Sequence, residues 1–302
     1  MNNHATNDAS LDYLKQLKTS AEGIVQHCLS TTETLPDAVR IRECASRLRT
    51  YPGDAYGTIV NTWYCKHRQC PICQWRKSLR YRSKFHRLLD QKPEVLEGKW
   101  VYLTLTVRNC HVDDLRATLK QMNDAFRRMG NRDFWNRNVL GAVRFTEIKD
   151  GGRDPTTAHP HFHCLLLVRP SMFGGVNYVP EQQWSSQWQQ ALQVAYAPHV
   201  KAQRFLGQGG VLKEDILKAV SYSMKPRLHT PGRNWFFTLN EQTKWMRQVE
   251  SFGLLRELFS DLTLPDKGDA PGYHRNTECV FQAKVATDSR RSLPPIPRES
   301  CH

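Results

Sequence analysis

Residues 159–168 read HPHFHCLLLV, and this stretch decides the fold. The run of apolar residues that closes it looks like a buried strand. Alternate side chains of a strand share a face. His161 and His163 therefore project together and Phe162 opposes them, while His159 precedes Pro160, which breaks regular strand geometry, and need not share that face. Two imidazoles one pleat apart can take adjacent positions on one metal ion.

A partner strand lies just upstream. VLGAVRFTEIKD (139–150) reads as a strand, and DGGRDPTTA as the loop joining it to the strand HFHCLLLV (161–168). Val143, Phe145 and Glu147 share a face, so pairing of the two strands sets Glu147 across from the histidines. Two histidines and one carboxylate leave coordination positions open, which suits Mn²⁺ or Mg²⁺ better than a closed zinc cage. Open positions are where a phosphate oxygen is polarised. A lone histidine here reads best as a hydrogen-bonded core residue; His-x-His facing an acid points to metal.

Further out, WVYLTLTVRN (100–109) and HVKAQRFL (199–206) read as strands, and 112–130, 181–196, 213–225 and 239–259 as helices, the last with Asn240 as its cap. Apolar spacing from Leu11 to Leu29 predicts a helix after a disordered start at 1–9, and a second helix starts near Pro36. These elements predict an α+β domain: a central antiparallel sheet carrying the histidine strand, helices packed on it, and a small N-terminal zinc-binding region. The expected divisions are 1–35, helical and flexible; 36–95, cysteine-rich and basic; 96–262, the sheet domain; and 263–302, a Pro-, Ser- and Arg-rich tail expected to be disordered.

CKHRQCPIC (65–73) holds a C-x-x-C knuckle, Cys70 and Cys73, with Cys65 and His67 just upstream. Such a knuckle is half of a structural zinc site, because four thiolate or imidazole ligands close a tetrahedron. Cys44, Cys65, Cys70 and Cys73 form the favoured set, with His67 as the alternative fourth ligand. The remaining cysteines, 28, 110, 164, 279 and 301, read as small hydrophobes or tail residues.

The chain is basic, with 43 Lys and Arg against 29 Asp and Glu and a net charge of +14. Lys66, Arg68, Arg76, Lys77, Arg80, Arg82, Lys84 and Arg87 follow one another with no acid between them, which predicts a phosphate-facing surface and a nucleic-acid partner. No apolar run approaches the length of a membrane span, and the opening MNNHATNDAS lacks a signal-peptide pattern. The expectation is a cytoplasmic protein with no membrane partner.

In LKAVSYSMKP (217–226), helical spacing puts Lys218, Tyr222 and Lys225 on one face, with Asp215 one turn earlier. Cations favour phenolate, and tyrosine can form covalent intermediates. Most tyrosines on amphipathic helices pack a core. Beside a metal strand and a basic surface, Tyr222 becomes a nucleophile candidate for phosphodiester transfer.

Taken in order, HPHFHCLLLV, VRPSMF, VPEQQW with SSQW, YAPHV and SYSMKP resemble the rolling-circle replication initiators of small plasmids, members of the HUH endonuclease class. CKHRQCPICQWRKSL and LTLTVRN fit the same family, so the resemblance runs from about residue 40 to 226. It implies a nicking and joining enzyme acting on plasmid origin DNA, single-stranded or extruded as a hairpin. His161 and His163 match the metal-holding histidines, Glu147 an acidic position of the preceding strand, and Tyr222 the nucleophile that stays linked to the 5′ phosphate. The freed 3′ hydroxyl then primes replication by host helicase and polymerase. One departure stands out: Lys218 occupies the position where such initiators often carry a glutamate that activates water for termination. Asp215 acting from one turn away, or the tyrosine of a second protomer, could substitute, and Lys218 could instead activate Tyr222 or bind phosphate.

Overall fold

Apolar residues at helical spacing build the N-terminal unit. The computed structural model describes residues 4–46, 49–51, 58–174, 179–262 and 279–281. Helix α1 (His4–Cys28) starts inside the stretch expected to lack order, and packs Leu17, Ala21, Ile24 and Val25 against Ala38 and Ile41 of α2 (Leu35–Glu43). Strands β1 (Arg49–Tyr51) and β2 (Thr58–Asn61) pair antiparallel, and Cys279–Phe281 adds a third strand to β2 from within the predicted tail. The rest of that tail, Cys301 included, and residues 1–3 lie outside the described residues.

Helix α3 (Pro71–Gln91) carries the basic run and opens on Pro71, whose fixed φ suits a first helical turn. The short α4 (Glu94–Glu97) leads into β3 (Lys99–Thr106) and β4 (Cys110–His111). A 3₁₀ turn enters α5 (Leu115–Gly130), followed by α6 (Asp133–Asn138), β5 (Val139–Gly151), β6 (Asp154–Val168), α7 (Glu181–Leu192), β7 (Val200–Arg204) and α8 (Gly210–Ser223). α9 (Arg233–Gln242), β8 (Val249–Gly253) and α10 (Leu254–Ser260) complete the domain.

The sheet runs β7-β3-β6-β5-β8, with β4 also on β6, and every pairing is antiparallel. This is the predicted α+β architecture. Apolar side chains leave both faces of the central strand. Phe162, Cys164 and Leu166 join α5, α6 and α7 in one core; Leu165 and Leu167 join Phe85 and Leu88 of α3, Leu217 and Val220 of α8, and Phe259 of α10 in the other.

Three expectations fail. DGGRDPTTA is not a loop: β5 and β6 continue to a tight turn at Gly152–Arg153, with Gly151 paired to Asp154. Gly152 has φ +73°, the positive value that a type II′ hairpin turn asks of its first central residue. Pro160 does not break β6, so His159 shares the parity of His161 and His163. It falls between the pairings Thr106↔His161 and Cys110↔Ala158, where the ladder on that side is interrupted. Finally, 239–259 is not one helix. The chain leaves α9, turns, and adds β8 to the edge of β5, because Gly253, at φ +55°, passes so close to Leu140 that a Cβ there would lie 2.6 Å from its carbonyl oxygen.

Candidate active site and metal centres

Glu147 lies on β5 in register with His161 on β6. Nε2 of His161 and Nε2 of His163 approach the same carboxylate oxygen, Oε2, at 2.6 and 2.8 Å. The rings are buried and meet edge to face with centroids 4.7 Å apart. Their other nitrogens are held as well: His163 Nδ1 lies 3.3 Å from Thr104 Oγ1, and His161 Nδ1 lies 3.3 Å from the His159 carbonyl oxygen. Burial opposes ionisation of Glu147, but hydrogen bonds from both imidazoles outweigh it and hold the carboxyl well below the usual carboxylate range. Burial also drives His163 toward its neutral, lone-pair-bearing form, against the pull of Glu147. The three donor atoms lie within 4.8 Å of one another, so one divalent cation could be held by all three.

Tyr222 of α8 sits beside this triad. The half-buried Tyr222 ring lies 5.8 Å from the His163 ring, and exposed Lys225 places Nζ 4.7 Å from the Tyr222 ring centroid. Lys218 and Asp215, one turn earlier, engage each other at 3.9 Å. Sequence reasoning missed Tyr102, which stacks on His163 with centroids 5.5 Å apart and shares a hydrogen bond of 3.0 Å with Ser223 Oγ. It also missed Thr104. Both fall on one face of the predicted strand WVYLTLTVRN (100–109), but only the β3–β6 register sets them beside His163.

The second cluster comprises Cys44, Cys65, Cys70 and Cys73, whose sulfur atoms also lie within 4.8 Å of one another. Cys44 follows α2, Cys65 follows β2, and the knuckle opens α3, so the set ties three segments together. Hydrogen bonds from Cys65, Cys70 and Cys73 hold the Cys44 thiol below its usual range, while hydrogen bonding to Cys44 pushes the Cys65 and Cys70 thiols up. His67 is not part of the set: its Nδ1 accepts from Gln69 N at 3.2 Å and its Nε2 lies 3.9 Å from Asp37.

The basic run is less of a phosphate surface than its sequence suggests. Arg87 is buried, because the helical turn aims it inward beside Leu88 and Leu89. Arg68 donates to the Met246 carbonyl at 2.6 Å, Lys77 to Gln248 Oε1 at 2.8 Å, and Arg82 to Ser221 Oγ at 3.4 Å. Arg76 covers the Tyr64 ring and Lys84 the Phe259 ring, while Arg80 is exposed.

An antiparallel sheet presenting two imidazoles and an acid beneath a helix-borne tyrosine is the arrangement expected of an HUH-type protein. Residues 56–290 match the replication protein family, and the chain belongs to it, as expected of a plasmid rolling-circle initiator. It is 32% identical over 241 residues to a protein named Protein rep from Streptococcus pneumoniae serotype 2 (strain D39 / NCTC 7466), covering 78% of this chain and 74% of that one. It is 30% identical over 238 residues to Protein rep of Lactiplantibacillus plantarum, covering 75% of each, and 29% identical over 258 residues to Protein rep of Bacillus amyloliquefaciens, covering 78% and 75%. No solved structure matches. Among the described residues no helix is long and apolar enough to cross a membrane.

Proposed function

We propose that this initiator nicks and rejoins one strand of plasmid origin DNA through Tyr222. The phenol loses its proton, its oxygen bonds to the scissile phosphorus, and the phosphorus–O3′ bond breaks. The 5′ phosphate remains on Tyr222, and O3′ takes up a proton to become the priming hydroxyl that host helicase and polymerase then use. Reversal of the same steps rejoins the strand. Glu147, His161 and His163 would hold Mn²⁺ or Mg²⁺, which supplies Lewis-acid polarisation of a phosphate oxygen. Lys225, beside the ring, favours the phenolate. Four thiolates at Cys44, Cys65, Cys70 and Cys73 are a donor set for structural Zn²⁺.

One observation carries the reading: two buried imidazole nitrogens and a carboxylate oxygen converge within 4.8 Å under a tyrosine whose ring is 5.8 Å from His163. The test is denaturing electrophoresis of the protein with labelled single-stranded origin oligonucleotide and Mn²⁺. Wild type should yield a protein–DNA conjugate, and Tyr222→Phe should bind the oligonucleotide but yield none. A conjugate formed by Tyr222→Phe removes Tyr222 from the chemistry. Binding without cleavage under any divalent ion points instead to a non-catalytic DNA-binding regulator.

A further inference from the structure

Trp245 is the most exposed large apolar side chain described, at 89% of its full accessible surface, and its backbone sits at φ +66°. A bulky residue at positive φ is unfavourable, and a Trp left in water gains nothing from the core. Yet the turn that carries it is fixed at both ends. The Thr243 hydroxyl is buried and donates to the Leu239 carbonyl at 2.7 Å. Arg68 donates to the Met246 carbonyl at 2.6 Å, and Arg116 donates to the carbonyls of Glu241 and Lys244 at 2.6 and 3.3 Å. Met246 is partly buried and packs against the core cluster to which α5 contributes. The indole is thus displayed on a braced turn rather than left on a loose one.

Two cations neighbour the ring in sequence: Lys244 directly precedes Trp245 and Arg247 lies two positions after it, and both are exposed. The acid near them is Glu241, 3.8 Å from the Lys244 ammonium in an ion pair that is exposed at both ends. The turn is tied to the strand that carries Glu147, because Thr146, its neighbour in sequence, donates its N–H to the Gln248 carbonyl at 2.8 Å. Trp245 and Gln248 are three positions apart, so their Cα atoms are at most about 11 Å from one another. A flat π-face beside cations is the chemistry that takes an unpaired nucleobase and its phosphates.

We propose that Trp245 is a stacking platform for an unpaired base of the DNA strand entering the active site, with Lys244 and Arg247 on the adjoining phosphates. This rests on the proposed nicking function and adds a contact to the strand outside the scissile position. The experiment measures binding of fluorescein-labelled oligothymidine of about 20 nucleotides, long enough to span the site, and of the same strand annealed to its complement. Trp245→Ala and Trp245→Gly should bind the single strand at least about fivefold more weakly, with duplex affinity unchanged. The single strand should quench wild-type tryptophan fluorescence, and the variants should lose most of that quenching. Trp245→Gly should melt at or above the wild-type temperature, because glycine relieves the positive φ. Undiminished affinity in both variants overturns the proposal in favour of a protein partner for the ring. A lowered melting temperature for Trp245→Gly also overturns it, by making the indole a packing element. A wild-type protein that neither binds the strand nor forms the conjugate defeats the nicking function itself. Conjugate formation with full affinity in the variants defeats only the stacking.

Discussion

Removing the carboxylate of Glu250 should destabilise the protein more than removing the cation it serves. Arg144 projects from β5 on the face opposite Glu147 and is buried, with its side chain 4% exposed against 26% for Glu250. Its guanidinium donates to Glu250 Oε2 and lies 4.3, 4.9 and 5.6 Å from the ring centroids of Phe162, Phe126 and Phe252. Burial works against the charge and Glu250 offsets that penalty. Glu250→Ala therefore leaves a buried cation whose remaining compensation is the three rings. The cost of breaking such a pair is about 3–5 kcal/mol; partial exposure of the vacated carboxylate site lets water in, so about 3 kcal/mol is expected. Arg144→Met keeps a long side chain against the rings and removes the charge, and should cost less than about 1.5 kcal/mol. In the double variant, Arg144→Met should rescue most of the Glu250→Ala loss. Urea unfolding of the four proteins measures the cycle, and for a domain this size the Glu250→Ala shift corresponds to about 6–12 °C in melting temperature. Equal losses in the two single variants, or simple additivity in the double, would refute the argument that an unpaired buried cation dominates.

The cysteine set predicts that Cys70→Ser lowers bound zinc, measured by atomic absorption, and lowers the melting temperature, since the site joins the ends of α2 and β2 to α3; unchanged zinc content would exclude Cys70 as a ligand. Lys77 supplies a pH test. Burial, then Arg68 and Arg80, push its ammonium down to about 8 from the ordinary 10.5. The folded state thus binds fewer protons than the unfolded one between those values. The penalty is full below pH 8 and fades as pH rises toward 10.5. Lys77→Met should then melt higher than wild type at pH 7, with the gap closing by pH 10, and a gap independent of pH would contradict this.

Much of the site was legible because strand periodicity is short and rigid. Once VRFTEIKD and HFHCLLLV pair across one connection, parity alone places Glu147 on the face of His161 and His163. Cysteine spacing was nearly as informative: the knuckle announced itself, and Cys44 joined it because α2 ends where the set needs a fourth sulfur. The failures come from tertiary context. Residues 239–259 offer apolar spacing that a helix accepts, but a free sheet edge at β5 and a glycine able to pass Leu140 make a strand the better solution there. The acid-free basic run reads as a surface because charge normally stays in water, yet α3 is packed on both the sheet and α8. Arg87 is drawn inside, and Arg68, Lys77 and Arg82 become braces between segments distant in sequence.

Those braces explain why the tyrosine is flanked by serines. The proposed nucleophile is carried on a helix and must be held in place relative to proposed ligands carried on a sheet, since small misplacement of reacting groups is costly in rate. Ser221 Oγ donates to the Leu217 carbonyl at 3.0 Å and accepts from Arg82 of α3; Ser223 Oγ donates to the Ala219 carbonyl at 2.8 Å and shares a hydrogen bond with Tyr102 of β3. Each hydroxyl is therefore tied to its own helix and to a different neighbour. Burial pushes the Tyr102 phenol up, so it stays a neutral partner for Ser223. Tyr102 also stacks on His163, and one aromatic thereby sets both the angle of a candidate metal ligand and the position of the residue beside Tyr222. Movement of α8 relative to the histidine strand strains these ties, which couples the geometry of the candidate ion site to that of the Tyr222 hydroxyl.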